Sequence, residues 1–223
     1  MKRLLKWFFG AVLLLAVLAV VFLLSLDTIL RVVTVNRIRA QTGMDAEIGT
    51  FHLGLLEPVV TIKDLKIHNP PAFGGTPFLN IPEIHVEYDR AALAKNRIHL
   101  TLLRFHLGEL DIVKNEAGQT NLFALGLALP AKGAAGGGQD LKAFKQQTGL
   151  EFQGIDALNV SVGTARFIDL KNSANNRERN LGIDNFVVKD VKTRANLAGL
   201  VVLVALRGGD FFTSMVGTEV NLK

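Results

Sequence analysis

The chain has 223 residues, 25 Lys and Arg against 20 Asp and Glu, a net charge of +5 and no cysteine. Lacking thiols, it has no disulfide staples, thiolate metal sites or thiol catalysis, so the fold has to hold by packing. Much of the positive balance sits in Lys2, Arg3 and Lys6, and no basic cluster with interleaved aromatics comes after them, which argues against a nucleic-acid partner.

Residues 1–6 are a basic start, and Trp7 to Leu26 is an uninterrupted uncharged run. A helix over 7–26, at about 1.5 Å per residue, covers roughly the 30 Å hydrocarbon core of a bilayer. The bases lie before it and Asp27 closes it, an arrangement that keeps the amino terminus cytoplasmic and exports the rest; Arg31, Arg37 and Arg39 stand close enough to count against this orientation without reversing it. A cleaved secretory signal shares the charged start, but its apolar region is shorter, about 7 to 15 residues, and it ends in small residues that Leu24-Ser25-Leu26-Asp27 does not supply. Either reading exports the remainder. The residues beyond the run are enough for one domain with a substantial core.

From 27 to 43, Leu30, Val33 and Ile38 alternate with arginines, and Gly43 offers a stop; this predicts a helical extension. At residue 44 the character changes to short stretches of alternating apolar and polar residues, and 44–223 reads as a single β-rich domain. A six-residue pattern, apolar-x-x-apolar-x-apolar, recurs at Ile62-Leu65-Ile67, Ile81-Ile84-Val86, Leu100-Leu103-Phe105, Leu107-Leu110-Ile112, Ile155-Leu158-Val160 and Ile183-Phe186-Val188. On a helix the third apolar residue would face away from the first two. On a strand the last two share a face, and the first is out of phase by one residue, as at a bulge or a strand start. The expected product is mainly β: a curved, groove-like antiparallel sheet of seven or eight strands, apolar on one side, about 35 Å across, with one or two short helices. Asn69-Pro70-Pro71 with Gly74-Gly75, Lys95-Asn96, and Asn115 to Gly118 supply its turns, and Pro82 marks a bulge or strand start.

Residues 129–139 contain four glycines and no large apolar side chain after Leu129, and read as a flexible loop. Asp140 is placed to cap a short helix through Gln147, with Leu141 and Phe144 on its apolar side and Gly149 ending it; strands resume at Leu150. Polar residues from Lys171 to Asn180 separate two later strands. Near the end, LAGLVVLVAL is too short to span a bilayer and fits a helix packed on the sheet or one resting at a membrane surface.

Chemistry-bearing patterns are weak. His52, His68, His85, His99 and His106 lack ligand spacing, and His85 and His106 sit between apolar residues, which puts them on the polar face. No serine occupies a nucleophile elbow, and Asp64, Glu83, Glu109 and Asp111 fall where a solvated strand face is expected. No cofactor, metal or catalytic residue is expected.

The basic start and anchor, the stretch TGMDAEIGTFHLGLLEPVVTIKDLKIHNPPAFGGTPFLNIPEIHVEYD and then IHLTLLRFHLGELDIVKNEAGQTNL together resemble the N-terminal region of the bacterial AsmA-like envelope proteins. The residues that carry the resemblance are Leu65, Ile67, Asn69, Pro70 and Phe73, the Ile84-x-Val86 strand ending at Asp89, and Gly118 with Asn121-Leu122. It implies a non-enzymatic, single-pass protein of the bacterial inner membrane, with the bulk of the chain periplasmic. Such a protein serves outer-membrane biogenesis by binding or moving phospholipid through a β-groove. Groove candidates are Leu65, Ile67, Ile84, Val86, Leu103, Phe105, Leu110, Ile112, Leu158, Val160, Phe186 and Val188, with Asn69 and Pro70 as a turn motif. The same apolar face also fits a closed core in a structural or assembly protein. Partners are then lipid, other envelope proteins or a second copy.

Overall fold

The structure is a computed structural model that describes residues 25–40, 42–54, 56–124, 142, 145–209 and 211. The 7–26 run, apart from its last two residues, and the 129–139 loop lie outside this set. Helix α1 covers 25–40, residue 42 is also helical, and Gly43 ends it with φ +69 and an N–H bond to Arg39 O at 2.9 Å. Strands β1 (Asp45–Leu53), β2 (Val59–His68), β3 (Pro77–Tyr88), β4 (Arg97–Lys114), β5 (Glu151–Asp169) and β6 (Arg177–Val191) come next. The short helices are α2 (Arg90–Leu93), α3 (Asn121–Ala124), α4 (145–148) and α5 (Ala198–Gly208).

All six strands form one sheet in the order β1-β2-β3-β4-β5-β6. β1 to β4 are the expected antiparallel meander, with turns where Asn69-Pro70, Asn96 and Gly118 stand. Two expectations need correction. The sheet is mixed, because β4 and β5 run parallel, from Arg97 opposite Glu151 to Lys114 opposite Asp169. Parallel neighbours need a long crossover, and residues 115–150 return the chain to the end of the sheet where β4 began. A glycine-rich stretch read only as a loop gives the next strand no direction. Among the described residues there are six strands rather than seven or eight, since the copies at 100–105 and 107–112 belong to one 18-residue strand. At about 4.8 Å per strand the sheet is then about 29 Å across.

The six-residue pattern records a shared break in pleat. Along each strand the apolar side chains follow period two and then skip a residue, from Ile48 to Phe51, Ile62 to Leu65, Ile81 to Ile84, Leu107 to Leu110, Val162 to Ala165 and Ile183 to Phe186. All of them pack in the clusters of one face. The skipped residues form a staggered row: Gly49, Asp64, Pro82, Gly108 and Gly163 drop out of ladder pairing, and Asn185 carries the break in β6. Asp64 and Asn185 adopt left-handed conformations, with φ +54 and +50. Bulged residues bend a strand, and a row of them across neighbouring strands bends the sheet as one. A shorter second row repeats the skip from Leu100 to Leu103, Ile155 to Leu158 and Val188 to Val191, where Asp190 has φ +53.

The helices border the two outer strands. α1 lies along β1: Asp27 Oδ1 accepts the Leu53 N–H at 2.9 Å, Arg31 donates to Gly49 O at 3.2 Å, and Val35 and Ile38 pack near Ala46 and Ile48. These side chains occupy edge groups that would otherwise invite another strand. α5 lies along β6, with Leu200, Leu203 and Val204 against the apolar clusters and the Arg207 carbonyl accepting from Arg179 Nε at 2.9 Å. Of the two fates open to this segment, packing on the sheet is realised by its inner side, while Val201, Val202 and Leu206 point outward, 64%, 56% and 73% exposed. Among the described residues no helix is long and apolar enough to cross a membrane.

The closest approach along the break sets a test. A Cβ on Gly163 would lie 2.4 Å from Gly108 O, so Gly163→Ala forces β4 and β5 apart and should cost about 1 to 3 kcal/mol. Gly199→Ala in α5, with open space around it, should leave stability unchanged or slightly raised. Thermal melts of the two variants check the contrast.

Candidate functional site

The apolar face is one continuous surface built from all six strands. Three clusters cover it, centred on Ala46, Ile48, Leu65 and Ile81, on Leu158, Val160 and Val191, and on Ile112, Ala165, Leu181 and Ile183. Phe105 packs against the first two and Val162 against the last two, so no polar gap divides them. Of the groove candidates, Leu65, Ile112, Leu158 and Val160 are buried, while Ile67, Ile84, Val86, Leu103, Phe105, Leu110, Phe186 and Val188 are half-buried. Eleven of the twelve pack in these clusters; Val86 pairs with Val60 on β2 and Leu103 on β4.

The turn motif is a structural node. Asn69 is buried, its N–H bonds Thr76 O at 2.8 Å, and its amide donates to Pro77 O at 3.2 Å. Pro70 O and Pro71 O accept from Phe73 and Gly74, which forms the short 3-10 turn. Asn69 Oδ1 accepts from Asn121 Nδ2 at 2.9 Å, and Asn121, with no exposed surface, also donates to Asp111 O and accepts from Val113 N–H. Two asparagines far apart in sequence are thus one hydrogen-bonded pair. It ties the β2–β3 loop to the end of β4.

Asp111 corrects an expectation: it is 2% exposed rather than solvated. It faces Arg166 across the parallel pair and binds it through both oxygens, at 2.7 and 2.8 Å, while Glu109 holds the same guanidinium at 3.1 Å. A period-two reading cannot find this, because the parallel register that places Arg166 opposite Asp111 is not visible in either strand. The hydrogen bond that Arg166 donates to Asp111 raises the Arg166 pKa further, against the effect of burial. Beside the pair lies a cleft of about 450 Å³ bordered by Thr76, Asn176, Arg177 and Glu178, on the polar side of the sheet.

Compared with family models, characterised proteins and solved structures, the chain matches none. The candidate site therefore stands on its own geometry.

Three histidines, His52, His85 and His99, take side-chain partners. His85 Nδ1 lies 2.9 Å from Thr61 Oγ1, and His99 lies between Asp156 at 2.8 Å and Asp89 at 3.7 Å. The hydrogen bond to Asp156 raises the His99 pKa, with Asp89 adding to it. Asp89 itself caps α2, and the Ala92 and Ala91 N–H groups lower its pKa. Among the described residues no three His, Asp or Glu side chains gather as a metal site would need. Glu83, like Glu109 and Asp111, is bonded to an arginine, Arg104 at 3.4 Å.

Two features escape a reading of the sequence, the Asp111–Arg166 pair and the exposed leucines of two turns, Leu56 (91%) and Leu93 (42%). The second has a signal. Between Gly54 and Pro58 the β1–β2 turn reads Leu-Leu-Glu, where turns ordinarily take small polar residues.

Arg166→Met leaves a buried carboxylate without its partner and should cost about 3 kcal/mol, whereas joining it to Asp111→Leu should recover most of that loss. Urea titration of the single and double variants measures both. Asp169 gives a pH handle. Its carboxylate accepts from Asn175 Nδ2, the dominant contact, and from the Asn172 and Lys171 N–H groups, which together hold its pKa below the usual range. A depressed folded pKa stabilises above the unfolded value, about 4, and that contribution disappears as pH falls through the folded value. Asp169→Asn should therefore be less stable than the parent at pH 7, with the gap closing below about pH 4, as melts across that range would show.

Proposed function

We propose that this chain is a membrane-anchored, non-enzymatic protein of the bacterial envelope that binds or transfers phospholipid along its apolar sheet face, as its resemblance to the AsmA-like proteins implies. One observation carries the reading: a single apolar surface crosses six strands without a polar gap, and eight of its twelve candidate residues are only half-buried. An acyl chain laid on such a surface gains about 0.8 kcal/mol per CH₂ removed from water. The anchor is residues 7–26, with the amino terminus cytoplasmic and the sheet in the periplasm. Measured across its six strands the sheet is only about 29 Å wide, so transfer between two membranes along that direction would need a second protein or a second copy.

The second reading, a structural or assembly protein with a closed core, draws support from the full burial of Leu65, Ile112, Leu158 and Val160. The two differ in what touches neighbouring residues of one strand. A photo-reactive side chain at Ile67, on the apolar face, should capture phospholipid in living cells, and one at Lys66, exposed on the other face, should not. Equal labelling at both would indicate mere membrane proximity, and no lipid adduct at Ile67 would leave the structural reading in place.

A further inference from the structure

The two ends of the sheet differ in chemistry. At the end formed by the β2–β3 loop, the β4 terminus and the β5–β6 loop, the turns are rich in uncharged polar residues: Asn69, Asn115, Asn172, Asn175 and Asn176. At the opposite end, the turns hold exposed leucines among cations. Leu56 tips the β1–β2 turn and is 91% exposed; Leu93 ends α2 in the β3–β4 turn and is 42% exposed. Around them, Arg90, Lys95, Arg97, Lys145 and Lys192 occupy the turns and strand ends of this same edge, against Asp27, Glu57, Asp89 and Glu151, and the last is already paired with Lys145 at 2.7 Å. Register places these turns together, since Leu53 pairs with Val60, Val59 with Glu87, Tyr88 with Leu100, and Arg97 with Glu151.

The amino-terminal part of the chain arrives at this end too. α1 starts beside it, where Asp27 holds the Leu53 N–H and lies 3.3 Å from His52, and then runs along β1 toward Asp45, which Arg39 binds at 2.7 Å. The apolar run 7–26 ends directly before Asp27. The carboxyl end of that run therefore lies at the same end of the sheet as Leu56, Leu93 and the cations.

We propose that this end of the sheet is a docking surface for an anionic lipid bilayer, with Leu56 and Leu93 entering the headgroup and acyl boundary and Lys95, Arg97 and Lys192 lying against the phosphates. Exposed leucines framed by lysine and arginine are the combination that binds an anionic interface, apolar insertion and charge attraction reinforcing each other. The proposal rests on the membrane anchoring given above. It adds an orientation: the strands rise from the bilayer, and the fold lines that cross them run parallel to its surface.

The natural sequence has no cysteine, so single labels report cleanly. Full-length protein carrying an environment-sensitive fluorophore at Leu56→Cys would be placed in nanodiscs of phosphatidylglycerol and phosphatidylcholine, or of phosphatidylcholine alone, with Leu14→Cys and Ser173→Cys as companion sites. Docking predicts that the Leu56 probe is blue-shifted and quenched by spin-labelled lipid in the anionic discs. Lys95→Glu with Arg97→Glu, or neutral discs, should weaken that quenching several-fold, while Ser173 stays aqueous throughout. A lipid-embedded Leu14 probe with an aqueous Leu56 probe overturns the docking and leaves the anchor intact. An aqueous Leu14 probe overturns both. Leu56 quenching that ignores the charge reversal and the lipid charge overturns the electrostatic half of the surface.

Discussion

The break in pleat that crosses all six strands is the constraint on which the rest of the sheet depends. Regular strands alternate faces strictly, so a sheet that is to stay apolar on one side while bending has to skip a residue at the bend, and neighbouring strands have to skip near the same level. Here the skips are made by residues that tolerate them for different reasons. Gly108 and Gly163 leave room where two backbones approach, Pro82 has no N–H to withhold from the ladder, and Asp64 and Asn185 accept left-handed backbone. Their agreement across the sheet keeps Ile62 and Leu65, or Leu107 and Leu110, on one surface although they are three apart.

That surface is then bounded by helices rather than by further strands. α1 satisfies edge groups of β1 through Asp27 and Arg31, and α5 packs along β6. The outer face of α5 stays apolar and exposed at Val201, Val202 and Leu206, beyond the rim of the apolar face. At the end of the sheet away from α1's start, the strands are held by polar contacts, with Asn69 to Asn121, Asp111 to Arg166, and Asp169 to Asn175. Stability there comes from satisfied buried polar groups, each costly to leave unpaired, together with the buried side chains of Phe73, Phe78 and Val113.

How much of this can be read from sequence differs by feature. The apolar face is legible because period two and its one-residue skip are local, and the groove candidates all lie on it. The turns at Asn69-Pro70, Asn96 and Gly118 are legible from turn chemistry. Strand count is not, because two copies of the pattern in succession look the same whether a turn or a bulge separates them, and Leu100 to Ile112 lie in one strand. The pairing of Asp111 with Arg166 depends on a parallel register 55 residues apart, which neither segment encodes alone. The burial of Asn121 likewise depends on a partner loop far back in the chain.

The parallel pair also divides the sheet by sequence separation. β1 to β4 close through short turns, and β5 with β6 forms its own hairpin, so each unit is built from contacts between residues near one another in the chain. Only β4 against β5 joins the two, over a loop whose closure is entropically expensive before any pairing rewards it. The apolar face is therefore continuous only once β5 has paired with β4. Until then each half exposes an unpaired edge at the centre of the future sheet, a transient hazard for misassembly that the finished molecule no longer displays.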